Sequence, residues 1–310
     1  MDTLHLEPLQ VGNPNLRPLL YEIMTKHASN HEDQQRYLQY FEDNMRRSQG
    51  IVLTQRGKAL GILLFRLKGN CCHIGFMYAL ERMNPEVMLS GLLEGLISLV
   101  EADKSINTIR YSTPERIPQS HAVALNTAGF ANAERMTMRI DPRDIPTDIQ
   151  PYPAGVKLVP WSQWLNSAAI QMMHESFRDS YEALWDRDLV DINGCQQYMA
   201  DCFAGRMGNF DPDVSFMLQH NEQWIGLALA TWVGDREGFI PIFGLSPEHA
   251  GKGLGSIMLA NLLWRFGMSS PSPLGIELAV SAPNTAAVRL YQKFHFYSVS
   301  NFRVYYRHIH

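Results

Sequence analysis

The chain has 310 residues, a formal net charge of −4 and 45% hydrophobic residues. That length suggests two domains rather than one, and that charge gives no bulk attraction to nucleic acid. No apolar run approaches the roughly 20 residues of a membrane span, the most apolar stretch, 88–100, being interrupted by Glu94.

The N-terminus, Met1-Asp2-Thr3-Leu4-His5, has neither a basic segment nor an apolar one, so no signal peptide is expected. Residues 15–46 read as helical. Strand patterns follow at about 50–55 and 59–67, the second ending in a Gly69-Asn70 turn. A strand over 72–79, a helix over 86–101, a strand over 107–112 and a helix over 120–128 come next. Gly129-Phe130 then leads into a strand pattern at 134–140. Residues 141–155, with Pro142, Pro146, Pro151 and Pro153, make a poor helix or strand and a good linker. The expected division is therefore 1–140, a linker at 141–155, and 156–310.

The second half repeats the order of the first. Helical patterns over 160–204 precede strands at 214–220, 224–233 and 239–245. A glycine-rich loop and a helix with Leu254, Met258, Leu259, Leu262, Leu263 and Phe266 on one face follow, then a strand at 275–280. A helix from 284 and terminal strands over 296–307 close the chain. The segment His121–Phe130 aligns with Ala287–Phe296 without a gap. The glycine loop has no chemical counterpart in the first half. Opposite Gly251-Lys252-Gly253-Leu254-Gly255 stand Pro85-Glu86-Val87-Met88-Leu89, and opposite Tyr291 stands Leu125. A proline without an N–H and an anionic Glu86 do not suit a phosphate.

Alternating glycines at a helix start leave backbone N–H groups bare, which makes an anion site. The loop Ala250-Gly251-Lys252-Gly253-Leu254-Gly255-Ser256 and the segment Asn284-Thr285-Ala286-Ala287-Val288-Arg289-Leu290-Tyr291-Gln292-Lys293-Phe294-His295-Phe296 together resemble the GNAT superfamily of acyl-CoA N-acyltransferases. The first resembles the family's pyrophosphate loop and the second its Asn-x-x-Ala-x-x-Leu-Tyr-x-Lys-x-Gly-Phe helix and strand. Two departures are visible: Ala250 stands for the usual Arg or Gln, and His295 for the usual Gly. The resemblance implies an α/β (α+β, mixed-sheet) fold class, with two tandem GNAT-like domains of helix-flanked sheet, the first without a working cofactor site. A tandem of this kind also resembles the organisation of mycothiol-synthase-like acetyltransferases.

By that resemblance, acetyl-CoA or another acyl-CoA is the cosubstrate. Main-chain groups of Phe243, Gly244 and Leu245 would pair with its pantetheine arm, and N–H groups of Gly251, Lys252, Gly253, Leu254, Gly255 and Ser256 would hold its diphosphate. Pro241 suits the bulge that the family carries in this strand. Lys252 either adds a charge or points to solvent, and Asn284 contacts the cofactor, caps its helix, or does both. Tyr291 implies the general acid for the departing thiolate. No carboxylate lies on 239–243, so the base is open between Glu277 acting through water, a water chain, and Glu277 merely paired with a neighbour.

Glu175, Asp179, Glu182 and Asp186 fall on one stripe of a helix. They read either as an attractor for a cationic amine or as a solvated face, with Trp161, Trp164, Tyr181 and Trp185 nearby. The four cysteines, Cys71, Cys72, Cys195 and Cys202, have no zinc spacing, and the scattered histidines give no metal site. The expectation is a cytoplasmic monomer or homodimer acting on a small-molecule or peptide amine without metal, nucleic acid or membrane. The competing expectation is a non-catalytic acyl-CoA-binding or regulatory protein.

Overall fold

Alternating apolar residues and turn glycines build the strands, and each half adds helices with one apolar stripe to cover them. The structure, a computed structural model, describes residues 3–27 and 31–309. The chain divides into two compact units, Met1–Asn132 with Arg303–His310, and Ala133–Phe302.

In the first unit the elements are β1 (His5–Pro8), α1 (Arg17–His27), α2 (His31–Arg47), β2 (Gln49–Gln55), β3 (Lys58–Lys68), β4 (Cys71–Ala79), α3 (Pro85–Glu101), β5 (Thr108–Pro114) and α4 (Gln119–Thr127). The helical stretch expected over 15–46 becomes two helices, with 28–30 outside the described residues. The sheet runs β1-β2-β3-β4-β5, and β1 was not foreseen. Its core gathers Leu89, Leu92, Leu93, Leu96 and Val100 of α3 against Ile62, Leu63 and Leu64 of β3.

The second unit holds β6 (Ala131–Ile140) from its third residue on, β7 (Val156–Pro160), α5 (Asn166–Phe177), α6 (Ile192–Phe203), β8 (Asn209–Phe210), β9 (Phe216–His220), β10 (Gln223–Val233) and β11 (Glu237–Leu245). Then come α7 (Leu254–Gly267), β12 (Gly275–Ser281), α8 (Thr285–Lys293) and β13 (Tyr297–His308), one strand whose end from Arg303 belongs to the first unit. The strand order is β6-β12-β11-β10-β9-β7, with β8 beside β10. Both faces are covered. Met258, Leu259, Leu262 and Phe266 of α7 pack on one, and Met172, Met173, Cys195 and Met199 of α5 and α6 on the other. The segment 141–155 lies wholly inside this unit, where the buried side chain of Asn261 accepts from the Gln150 N–H at 2.7 Å and donates to its carbonyl at 2.9 Å.

The two units share a local design. Strand β4 pairs in parallel with β5 only over Cys71–Ile74, and β11 with β12 only over Glu237–Phe239, so each pair parts halfway. Each first member carries a bulge where the parting begins, at Gly75 and at Ile240-Pro241. The bulge in β11 inverts its faces: Ile240 packs with α7, but Ile242, two residues on, packs with α5 and α6. A glycine on the neighbouring strand matches in both, Gly61 opposite Ala79 and Gly226 opposite Leu245.

Candidate active site

Where β11 and β12 part, residues 242–245 keep their pairing with β10 and have no partner strand on the β12 side among the described residues. A cleft of about 420 Å³ opens there, lined by Phe243, Gly244 and Leu245 of β11, by Gly251, Gly253, Gly255 and Ser256 of the loop, and by Asn284, Ala287 and Tyr291 along α8. Beside it lies a smaller chamber of about 130 Å³, which shares Phe177, Glu182, Phe243, Asn284, Ala287 and Tyr291 with the cleft.

The loop reaches the cleft as bare main chain. Gly251 and Gly253 have φ of +71° and +81°, and a Cβ on either would meet nothing within 4 Å. These glycines are needed for their left-handed backbone and for the open approach. The N–H groups of Gly251, Lys252, Gly253, Leu254 and Gly255 have no hydrogen-bond partner among the described residues. That row, at the start of a 14-residue helix, suits a diphosphate. The Ser256 N–H departs from expectation: the Gly253 carbonyl accepts it at 3.1 Å, so it is not available. Lys252 is exposed and does not line the cleft, while the Leu254 side chain is buried in the core, leaving each of them a main-chain role.

Gly244 marks the tightest point. A Cβ there would stand 2.9 Å from the Ser176 Cβ and 3.0 Å from the Phe177 ring. The Asn284 side chain caps α8 by accepting from the Ala287 N–H at 3.2 Å, while the residue also lines the cleft, so both expected roles are open to it. Tyr291 is buried, its ring edge-on to Phe243 with centroids 6.3 Å apart. Burial, and secondarily the Glu182 carboxylate, push its phenol well above the ordinary value. It therefore holds its proton at neutral pH.

Two expectations are corrected. Glu277 does not line the cleft. It shares the Arg139 guanidinium with Glu237, at 2.9 and 2.7 Å, because its register on β12 sets it beside Arg139 of β6 and Phe239 of β11, before the strands part. Of the alternatives left open for Glu277, its geometry is that of a carboxylate paired with a neighbour, away from the cleft. The acidic stripe also fails as a stripe. Helix α5 ends at Phe177, and two short 3-10 turns, Glu182–Leu184 and Arg187–Leu189, replace the expected continuation. Glu175 and Asp179 stay exposed, Asp179 beside Arg178 at 3.3 Å, whereas Glu182 and Asp186 turn inward and are buried. Glu182 alone of the three carboxylates expected to bind substrate lines the cleft.

The chamber adds residues that sequence reasoning assigned no role. Arg135 stacks on Trp185 at 4.4 Å, and the Tyr198 hydroxyl donates to the Pro241 carbonyl at 3.3 Å, at the bulge. No periodicity signalled either, since both depend on elements meeting from distant parts of the chain.

The corresponding place in the first unit is built differently. Helix α3 begins at Pro85, absorbing the stretch that in the second unit is loop, and Glu86 sits in its first turn. His121, the counterpart of Ala287, donates its Nε2–H to the Met77 carbonyl at 3.1 Å. By register Met77 matches Phe243, so an internal imidazole takes the strand position that a pantetheine amide would need. Leu125, opposite Tyr291, is fully buried.

Among the described residues no group of three or more His, Cys, Asp or Glu side chains is gathered as a metal site. Nor, among them, is any helix long and apolar enough to cross a membrane.

Known proteins agree with this architecture. The model of the acetyltransferase (GNAT) family matches residues 170–296. No curated protein matches the chain in sequence. Among solved structures, a GCN5-related N-acetyltransferase from Sphaerobacter thermophilus is similar over 99% of this chain and 96% of its own, with 14% identity and a TM-score of 0.60. A tandem GNAT protein from the clavulanic acid biosynthesis pathway is similar over 99% of both chains, with 13% identity and a TM-score of 0.55.

Proposed function

From the match of residues 170–296 to the acetyltransferase (GNAT) family model, in a chain with the fold of a tandem GNAT protein, we propose that the second unit moves an acetyl group from acetyl-CoA to a primary amine of a small molecule or peptide. One observation carries the reading: the N–H groups from Gly251 to Gly255 are unpartnered among the described residues, and Gly251, Gly253 and Gly255 line a cleft that Tyr291 also lines. The N–H row holds the diphosphate. The free edge of β11 at Phe243–Leu245 takes the pantetheine arm and offers an N–H to the thioester oxygen, a contact that strengthens as charge develops there. Tyr291 gives its proton to the departing sulfur.

Transfer is direct, within a ternary complex. Cys195 and Cys202, the cysteines of this unit, are buried, and burial pushes their thiols up to about 12, so neither serves as a thiolate nucleophile. Reduced, buried thiols also suit the cytoplasm.

A second reading, an acyl-CoA-binding protein without turnover, is favoured by Ala250 and by the lack of a carboxylate on 239–243 of β11. Thiol release from acetyl-CoA across a panel of amines separates the two. Release that depends on the amine supports the transferase. CoA binding without release selects the binder, and no CoA binding removes both.

A further inference from the structure

A primary amine is protonated at neutral pH, and its nitrogen cannot attack until that proton leaves. Something at the junction of cleft and chamber must receive it. Over 239–243 strand β11 offers Phe239, Ile240, Pro241, Ile242 and Phe243, none able to do so, and Glu237 and Glu277 are both held by Arg139. The charged and titratable groups facing the chamber are Arg135 from β6, Glu182 and Asp186 from the turns after α5, Tyr198 from α6 and Tyr291 from α8. Arg135 has no acceptor atom and both phenols carry their own proton, so the two carboxylates are the proton acceptors that face the chamber. Asp186 lines the chamber but not the cleft, and its carboxylate accepts the Asp188 N–H at 3.3 Å.

Glu182 lines both spaces. Its main chain is tied down, its carbonyl accepting from Trp185 and Asp186 at 3.3 and 2.9 Å. One carboxylate oxygen accepts the N–H of Ser281, the last residue of β12, at 3.2 Å, while the other has no protein partner among the described residues. The side chain is thus fixed at the mouth of the parted strands, on the side of Tyr291, with one oxygen to spare.

We infer that Glu182 receives the acceptor amine in this chain, pairing with the ammonium and then taking the proton that must leave before the nitrogen attacks. This rests on the transferase reading above. The ammonium passes one proton to Glu182, and the nitrogen lone pair forms the C–N bond at the thioester carbon. The C–S bond breaks as the sulfur takes the Tyr291 proton. The second nitrogen proton restores the Tyr291 phenol, and Glu182 returns its own to water. The net change is one amide, one thiol and one released proton.

The test compares the full-length protein with Glu182→Gln, following kcat/KM against pH for an alkylamine and for an arylamine that is already neutral in the assay. The expected result is a fall on the order of 100-fold for the alkylamine, a much smaller fall for the arylamine, an acidic limb for the alkylamine displaced upward toward the amine's own deprotonation, and CoA affinity within about threefold of the parent. An unchanged rate and profile overturns the inference. So does an equal fall for both amines with the limb unmoved, which marks a merely structural role. Should Glu182→Gln fail to fold, Glu182→Asp replaces it: the expected outcome is a loss of about tenfold or more with the acidic limb kept, and an unaltered rate overturns the inference. If the parent protein releases no thiol with any amine, the transferase reading itself is lost.

Discussion

At the scale of single residues, the two halves can be checked against each other. His295 adopts a φ of +64° at the turn after α8, and its counterpart Gly129 adopts +75°. A side chain in the left-handed region costs on the order of 1 kcal/mol, part of which glycine gives back through its freer unfolded chain. Replacing His295 by Gly should therefore stabilise the second unit slightly, raising its melting midpoint by about 2 °C in a thermal scan. Tyr291 carries a different prediction. Tyr291→Phe should lower kcat on the order of 100-fold and leave CoA affinity nearly unchanged by calorimetry. Because burial and Glu182 push the phenol above its ordinary value of 10.0, the proton is retained as pH rises through that value. The parent enzyme should show no loss of rate near pH 10 from this group; a fall there that Tyr291→Phe removes would contradict the assignment.

At the scale of elements, the parted strands and the glycine loop act together. The bulge at Ile240-Pro241 is what frees the β11 edge, and the loop then presents main chain because nothing protrudes from Gly251 or Gly253. Gly253→Glu would put an anion in that space and strain the backbone at φ +81°. CoA binding should weaken by about tenfold or more through like-charge repulsion, while the far-UV circular dichroism stays that of the parent. Helix α5 teaches the opposite lesson about periodicity. The spacing of Glu175, Asp179 and Glu182 is helical, but the helix stops at Phe177, so the pattern has no face to lie on. The two turns that follow carry Glu182 inward instead, and His174 helps hold the connection through a 3.0 Å contact from its Nε2 to the Val190 carbonyl.

At the scale of the whole molecule, the chain carries the same strand parting twice but the loop chemistry once. In the first unit His121 occupies the Met77 carbonyl and α3 starts at Pro85, which has no N–H to offer. Titration with CoA should accordingly saturate at one equivalent per chain, and Gly253→Glu should weaken that single event by the same factor of about ten or more. A second equivalent that survives the substitution would show that the first unit binds as well.

Much of this was legible in the order of residues. The loop at 250–256, the helix carrying Asn284 and Tyr291, and the repeat of His121–Phe130 in Ala287–Phe296 are local features, and local backbone chemistry gives glycine, proline and capping residues the same meaning in any context. Strands β1, β7 and β8 were not legible, being short or flanked by proline. The engaged N–H of Ser256 was hidden too, because a first-turn 3-10 bond leaves no trace in composition. The amino-acid sequence by itself determined that a bare glycine-rich main chain opens a helix and which half carries it. Only the tertiary structure decided which carboxylate meets the cleft, turning Glu277 toward Arg139 and Glu182 toward Tyr291. A side chain's direction is settled by where its helix ends and which strand lies beside it, and those are properties of contacts between residues far apart in the chain.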